Sequence, residues 1–429
     1  MKHTAAGDAL IQRRIYETYK GFDDIGDFIR RGDARFFNLE TTLNFEGECP
    51  VSQYSGGTYL RCDPRAIRDL KNFGFNAVTF NNNHAMDFNY EGLLCTKRYI
   101  DEAGLVQCGI GENLAQAAAP AYLDTPAGRV AYIAVNTSFN PAAMAGEQSR
   151  RIKGRPGING LRVEEKLIVP PDAFAQIVDI GERTGINAAI NITRAEGYRP
   201  PLPENSYLLG SLMFECGDEF RRVQTCHPAD LARVKKAIFE AKLQADEVVI
   251  SVHSHQLSGL TKEEPADFLM DFAHFCIDEG VNAVIGHGPH LLRPIEVYKN
   301  RPIFYSLGDF VLQLYSVEFA PEEFYVTQGL TSDATVHELL AKRSKDFTRG
   351  LMEDKKMNEA VVPYWETDEN GDLTRLELLP VNLWMKSKKC DEGLPYTGGD
   401  VSFMERLADL SRPFGVEISM RDGIGICKW

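Results

Sequence analysis

Apolar residues along this chain fall into short runs, each followed by a polar cluster, which is the pattern of strands that deliver their loops to a common edge. Ala34–Asn38 and Asn76–Phe80 read as two such strands. Between them, Asp63-Pro64 followed by Ile67, Leu70 and Phe73 reads as a capped amphipathic helix stopped by Gly74. A second helix is expected from Tyr90 to Ala103, closed by Gly104. Val130–Val135, Glu247–Val252 and Val281–Ile285 read as further buried strands, and the alternation indicates α/β architecture.

From Ile295 to Val311 the pattern changes, because Lys299-Asn300 sits between two β-rich runs and marks a hairpin turn. A second hairpin is expected at Asp368–Asp372, between Val361–Trp365 and Leu373–Leu379. Pro321–Lys355 is rich in charge with helical spacing of its apolar residues. No linker of domain-boundary composition and no repeat appears, so residues 1–429 read as one domain, with a helical insertion over 318–357 and C-terminal strands and a helix over 358–429 completing it.

The chemistry sits in five polar clusters that follow the apolar runs: Gly7-Asp8, Asn38-Leu39-Glu40, Asn81-Asn82-Asn83-His84, His253-Ser254-His255 and Gly286-His287-Gly288-Pro289-His290. Two carboxylates, an amide oxygen and several imidazoles gathered at one sheet edge make a donor set for manganese, iron or zinc. Gly109-Ile110-Gly111-Glu112 lacks a Walker lysine and a full dinucleotide fingerprint, and reads as a strand-to-helix turn capped by Asn113. No Gly-x-Ser-x-Gly elbow occurs, and no cysteine neighbours a candidate base.

A net charge of -14 argues against non-specific nucleic-acid binding, yet leaves room for an anionic small-molecule or polymer substrate inside a cation-lined cleft. The first polar cluster arrives too early for a signal peptide, and no apolar stretch is long enough to span a bilayer. The nine cysteines are scattered without a Cys-x-x-Cys pair. Reduced thiols, a cytoplasmic setting and no membrane partner are the expectation; self-association into a homo-oligomer is left open.

"GHGPHLLRPIEVYKNRPIFYSLGDFV" from Gly286, "NLET" from Asn38, "NNHAMD" from Asn82 and "GIGENLAQA" from Gly109 together resemble the CapA-type poly-γ-glutamate capsule-synthesis family. That family is similar to the calcineurin-like metallophosphatases, so the resemblance implies a four-layer α/β/β/α sandwich with mixed sheets and a two-metal site at the strand ends. By the same resemblance Asp8, Glu40, Asn83, His253, His287 and His290 are metal ligands, Glu40 bridges the two ions, and His84 assists the leaving group. Leu10 stands where metallophosphatases have a histidine, which leaves the first ion with Asp8, Glu40 and His290 and predicts that it is the looser of the two. Gly288, Ser254-His255 and Asp309 replace parts of the family patterns "GHHPH", "HWG" and "SLGNF", and His255 joins the candidates as a ligand or substrate contact.

His84, His253, His287 and His290 each follow an apolar strand beside other ligand types, whereas His3, His227, His274 and His337 stand alone and read as hydrogen-bonded structural residues. Asp87 either fixes the His84 ring or caps the following helix. Arg61 and Arg155, in polar or Gly/Pro-rich loops, are candidates for clamping an anionic substrate, with surface solvation as the alternative. The leading expectation is a hydrolase using two divalent metal ions (Mn, Zn or Fe) on a γ-glutamyl-type amide, with His84, Asp87 and His255 in catalytic roles. A metallophosphoesterase and a non-catalytic accessory protein of capsule synthesis are the alternatives.

Overall fold

The computed structural model describes residues 1–350, 353–383 and 388–429; parts of the expected insertion (351–352) and of the expected C-terminal segment (384–387) thus lie outside the described residues. The chain divides into two compact units, one of residues 1–161 and 232–429, the other Arg162–Leu231, a division that the reading as one domain does not contain. The smaller unit carries its own four-stranded sheet. Its strands, such as Val163–Val169, bury only part of their apolar residues, so no strong periodicity marks them in the sequence.

In the larger unit a nine-stranded sheet centres on Lys2–Leu10, which pairs in parallel with Ala34–Leu39 and Asp309–Leu312 and antiparallel with Glu359–Thr367. A six-stranded sheet centres on Glu247–His253, flanked in parallel by Gly128–Asn136 and Ala283–His287. The protein is therefore mixed α/β with several mixed sheets. Ala5, Phe36 and Trp365 of the first sheet share one buried cluster with Tyr132, Val249 and Phe304 of the second, so the two sheets meet face to face. The opposite face of the first sheet, including Phe37 and Val78, packs on helices Phe22–Ile29, Ala66–Asn72 and Asn89–Glu102 through Ile25, Leu70 and Leu93.

Most expected elements of this unit form within a few residues of their anticipated limits. The hairpin at Lys299-Asn300 joins Ile295–Tyr298 to Arg301–Phe304, and both turn residues adopt positive φ (49° and 58°), as a two-residue turn matched to strand twist requires. The strands Glu359–Thr367 and Leu373–Asn382 form the second hairpin. Asn113 caps the short helix Leu114–Ala118 by accepting from the Gln116 amide, which fits the turn reading of the Gly109 stretch. Over the expected insertion, helices Glu322–Thr327 and Val336–Ser344 form, the second opened by a capping box of Thr335 and Glu338. Among the described residues no helix is long and apolar enough to cross a membrane.

Candidate metal centre

Parallel strands place their C-terminal ends side by side, and here that geometry brings the polar clusters together. Asp8 lies opposite Asn38 on one neighbouring strand and opposite Asp309 on the other. His253 and His287 are register partners at the ends of their own two strands. Gly7 permits this approach: a Cβ there would lie 1.8 Å from the Gly308 carbonyl oxygen. Gly288, at φ +116°, turns its amide onto Asp8 Oδ2 at 2.8 Å, while Asn38 Nδ2 donates to Oδ1 at 2.6 Å. His290, also at positive φ (59°), is held in a backbone region that L residues seldom occupy and that is common at functional sites.

The expected ligands converge. His287 Nδ1 is 3.4 Å from Asp8 Oδ1 and 2.8 Å from His253 Nδ1. His253 Nε2 is 2.7 Å from Asn83 Oδ1, 3.1 Å from His255 Nε2 and 3.7 Å from Glu40 Oε1. His290 Nε2 is 3.9 Å from the same Glu40 oxygen. Three donor groups, Asp8/His253/His287, Glu40/His253/His255 and Asp8/His290/Asp309, each bring their ligand atoms within 4.8 Å of one another.

The residues fit divalent metal. Glu40, Asp8 and Asp309 are fully buried, yet neither Glu40 oxygen nor Asp309 Oδ2 has a hydrogen-bond partner. A buried carboxylate oxygen with no donor costs several kcal/mol, on the order of an unpaired ion, unless a cation sits beside it. Burial, and then the neighbouring Asp8, pushes Glu40 well above the usual carboxylate range; burial together with Asp309 raises Asp8 to about 7. Burial also keeps His253 and His255 neutral, and holds His287 at about 3, so their lone pairs are free to bind metal. His290 is the exception: burial opposes its charge, but Asp309, Glu40 and Asp8 outweigh that and raise it to about 10.

Supporting contacts orient the imidazoles. His287 Nε2 lies 2.6 Å from Ser251 Oγ, leaving Nδ1 to face Asp8 and His253. His290 Nδ1 lies 2.9 Å from Asp309 Oδ1, leaving Nε2 to face Glu40. Asp87 Oδ2 is 2.7 Å from His84 Nδ1 and accepts from the Leu60 amide, while its Oδ1 accepts from Gly56. Asp87 thus fixes the His84 ring; the helix that follows takes no side-chain cap.

Two expectations change. Leu10 does stand at the strand end without a metal-binding atom, but the first position is not left with Asp8, Glu40 and His290, because Asp309 adds a third carboxylate beside them. Its sequence signal was present in Asp309 replacing the asparagine of "SLGNF", and only the strand pairing with Asp8 shows its use. Neither Arg61 nor Arg155 lines the cavity beside the cluster. The Arg61 guanidinium is taken by Glu318 at 3.0 Å and the Asn44 carbonyl, and Arg155 donates to the Met144 carbonyl. Ser251, buried inside an apolar run, gave no sign of its role. His3 and His274, read as structural, pair with Glu247 at 2.7 Å and Glu296 at 2.9 Å.

A mixed α/β protein with a buried histidine–carboxylate cluster suited to divalent metal is the class that fold and site define. The chain belongs to the bacterial capsule synthesis protein family PGA_cap, whose model matches residues 2–314. It is 32% identical to the uncharacterized protein y4sH of Sinorhizobium fredii, over 99% of this chain and 92% of that one. It is 22% identical to the capsule biosynthesis protein CapA of Bacillus anthracis, over 72% of this chain and 59% of that one. A solved structure, the 5'-nucleotidase precursor of Thermus thermophilus, overlaps at a TM-score of 0.37 with 10% identity, covering 96% of this chain and 59% of that one, too loosely to assign a fold or an activity.

Proposed function

We propose that this protein is a divalent-metal-dependent hydrolase acting on a γ-glutamyl-type amide, within a four-layer sandwich of metallophosphatase type. The observation that carries the reading is Glu40: a fully buried carboxylate with two unpartnered oxygens, faced by His253 and His290. Asp8/His253/His287, Glu40/His253/His255 and Asp8/His290/Asp309 are the groups that would hold the ions, with Asn83 beside His253. Two ions of manganese, zinc or iron would supply the Lewis acidity that polarises a carbonyl and makes water nucleophilic near neutral pH.

The remaining work falls to the chain. His84 lines the cavity next to the cluster, and Asp87 holds its Nδ1, so that Nε2 is the atom presented to substrate. In the step itself the water oxygen bonds to the carbonyl carbon, the C–N bond breaks as His84 Nε2 gives its proton to the departing nitrogen, and the proton shed by the water restores His84, so that a carboxylate and an amine leave. The γ-glutamyl assignment rests on the family, and the substrate we propose is anionic. A phosphoester is the second reading, favoured by the same His84–Asp87 pair, which serves an alkoxide leaving group equally well.

Glutamate release from γ-linked glutamyl compounds, measured with manganese and with zinc alongside hydrolysis of a chromogenic phosphodiester, tests the proposal. Release that Glu40→Gln abolishes supports it. Phosphodiester cleavage alone transfers the assignment to the second reading, and no turnover of either overturns both in favour of an accessory role in capsule synthesis.

A further inference from the structure

The metal cluster opens into a cavity of about 290 Å³, at the small end of the range for small-molecule sites. Asn83, His84, His255 and His290 form its reactive side. Leu314, Val317, Leu340 and Met357 also line it, as do the cations Arg343 and Lys262. Neither cation forms an ion pair with another of the described residues, and both are exposed, so each is free to meet an anion arriving from solvent.

The origin of these walls is uneven along the chain. Every metal-type ligand, Asp8 through Asp309, lies inside the stretch that matches the capsule-synthesis family, residues 2–314. Val317, Leu340, Arg343 and Met357 lie beyond it. The likeness to CapA of Bacillus anthracis also covers 72% of this chain, against 99% for y4sH. The reactive side of the cavity thus lies within the family match, while of the apolar wall only Leu314 does, and Val317, Leu340 and Met357 come from the segment beyond it.

From this we infer that the substrate is a small γ-glutamyl amide whose amine part is an apolar amino acid, its side chain against Leu314, Val317 and Leu340 and its carboxylate on Arg343, rather than poly-γ-glutamate. The γ-glutamyl end rests on the hydrolase reading above; the apolar end rests on the cavity alone. A polymer carries a carboxylate at every repeat, and one seated against Leu314, Val317 and Leu340 loses its water to side chains that carry no donor, in addition to the carboxylate that Arg343 takes. An aliphatic side chain there exchanges water for apolar contact.

Calorimetric titration of the full chain, loaded with manganese, with γ-glutamyl-leucine, γ-glutamyl-glutamate and a γ-linked glutamate oligomer tests this. The leucine dipeptide is expected to bind at least about tenfold more tightly than the glutamate dipeptide or the oligomer. Leu340→Asp should erase the preference. Arg343→Gln, at an exposed position, should weaken the leucine dipeptide by about tenfold while leaving metal content unchanged. No binding of the leucine dipeptide, equal or tighter binding of the oligomer, or a preference that neither variant moves, overturns the inference. Turnover is scored separately. A leucine dipeptide bound with this preference but not cleaved upholds the cavity inference and counts against the hydrolase, whereas cleavage of the oligomer without binding of the dipeptide does the reverse.

Discussion

Asp8 and Asp309 are register partners on adjacent parallel strands, both fully buried, and the His290 ring lies against the two of them, 3.9 Å from one carboxylate and 2.9 Å from the other. Two carboxylates side by side in a dry interior repel each other strongly, and their persistence calls for a cation between or beside them. In the proposed metal centre Asp309 acts either through its unpartnered Oδ2 or by holding His290. Asp309→Asn, which keeps shape and removes charge, is expected to lower metal affinity by about 10–100-fold, as read by chelator competition. Unchanged affinity would remove Asp309 from the site.

Metal binding should weaken as pH falls. In the metal-free protein Asp8 sits at about 7 and His290 at about 10, so a metal ion displaces a proton from His290 at neutral pH and from Asp8 as well at lower pH. Affinity is expected to rise with pH, with a steeper slope below about 7, and binding in weakly buffered solution should release protons. A pH-independent affinity between 6 and 8, on the order of the range where these groups titrate, would contradict the assignment of both as ligands.

In the proposed hydrolase His84 and Asp87 act on the leaving group rather than on the metal. Removing the imidazole with His84→Ala should lower kcat by about 10²–10⁴-fold while metal content stays that of the parent protein. Asp87→Asn should give a kcat between the parent's and that of His84→Ala, because the ring loses the carboxylate that holds its Nδ1. Loss of metal in either variant would point to a structural role.

Away from the site, His3 and Glu247 tie the two large sheets together at 2.7 Å. Burial alone would raise Glu247, but hydrogen bonds from His3 and Thr367 outweigh it and hold the carboxylate below its ordinary value. A depressed folded-state value adds stability above the unfolded value of about 4.5 that is lost as pH falls through the folded one. Glu247→Ala should cost about 3–5 kcal/mol at neutral pH in denaturant unfolding and shrink the acid-induced loss of stability. A variant whose acid limb matches the parent's would show that Glu247 does not carry it.

The strands and helices around the cluster were legible because their apolar runs are bounded by glycines, Asp-Pro and strand-end polar residues, all local signals. The residues that converge in the cluster were legible for the same reason, since a strand end marks where a side chain is delivered. Arg343 was not, because it lies on an amphipathic helix whose pattern gives no hint of what it faces. Asp309 and Ser251 sit within or beside buried strands, and a one-dimensional pattern cannot distinguish a structural polar residue there from one that orients a ligand. Arg162–Leu231 escaped as a separate unit because no linker composition flanks it.

Whether the buried cluster is a metal centre is read most directly from the metal content of the protein itself. Elemental analysis of protein purified without chelator, and again after incubation with manganese and with zinc, is expected to give about one to two equivalents of transition metal, falling sharply in Glu40→Ala. A content near zero that neither metal restores would contradict it.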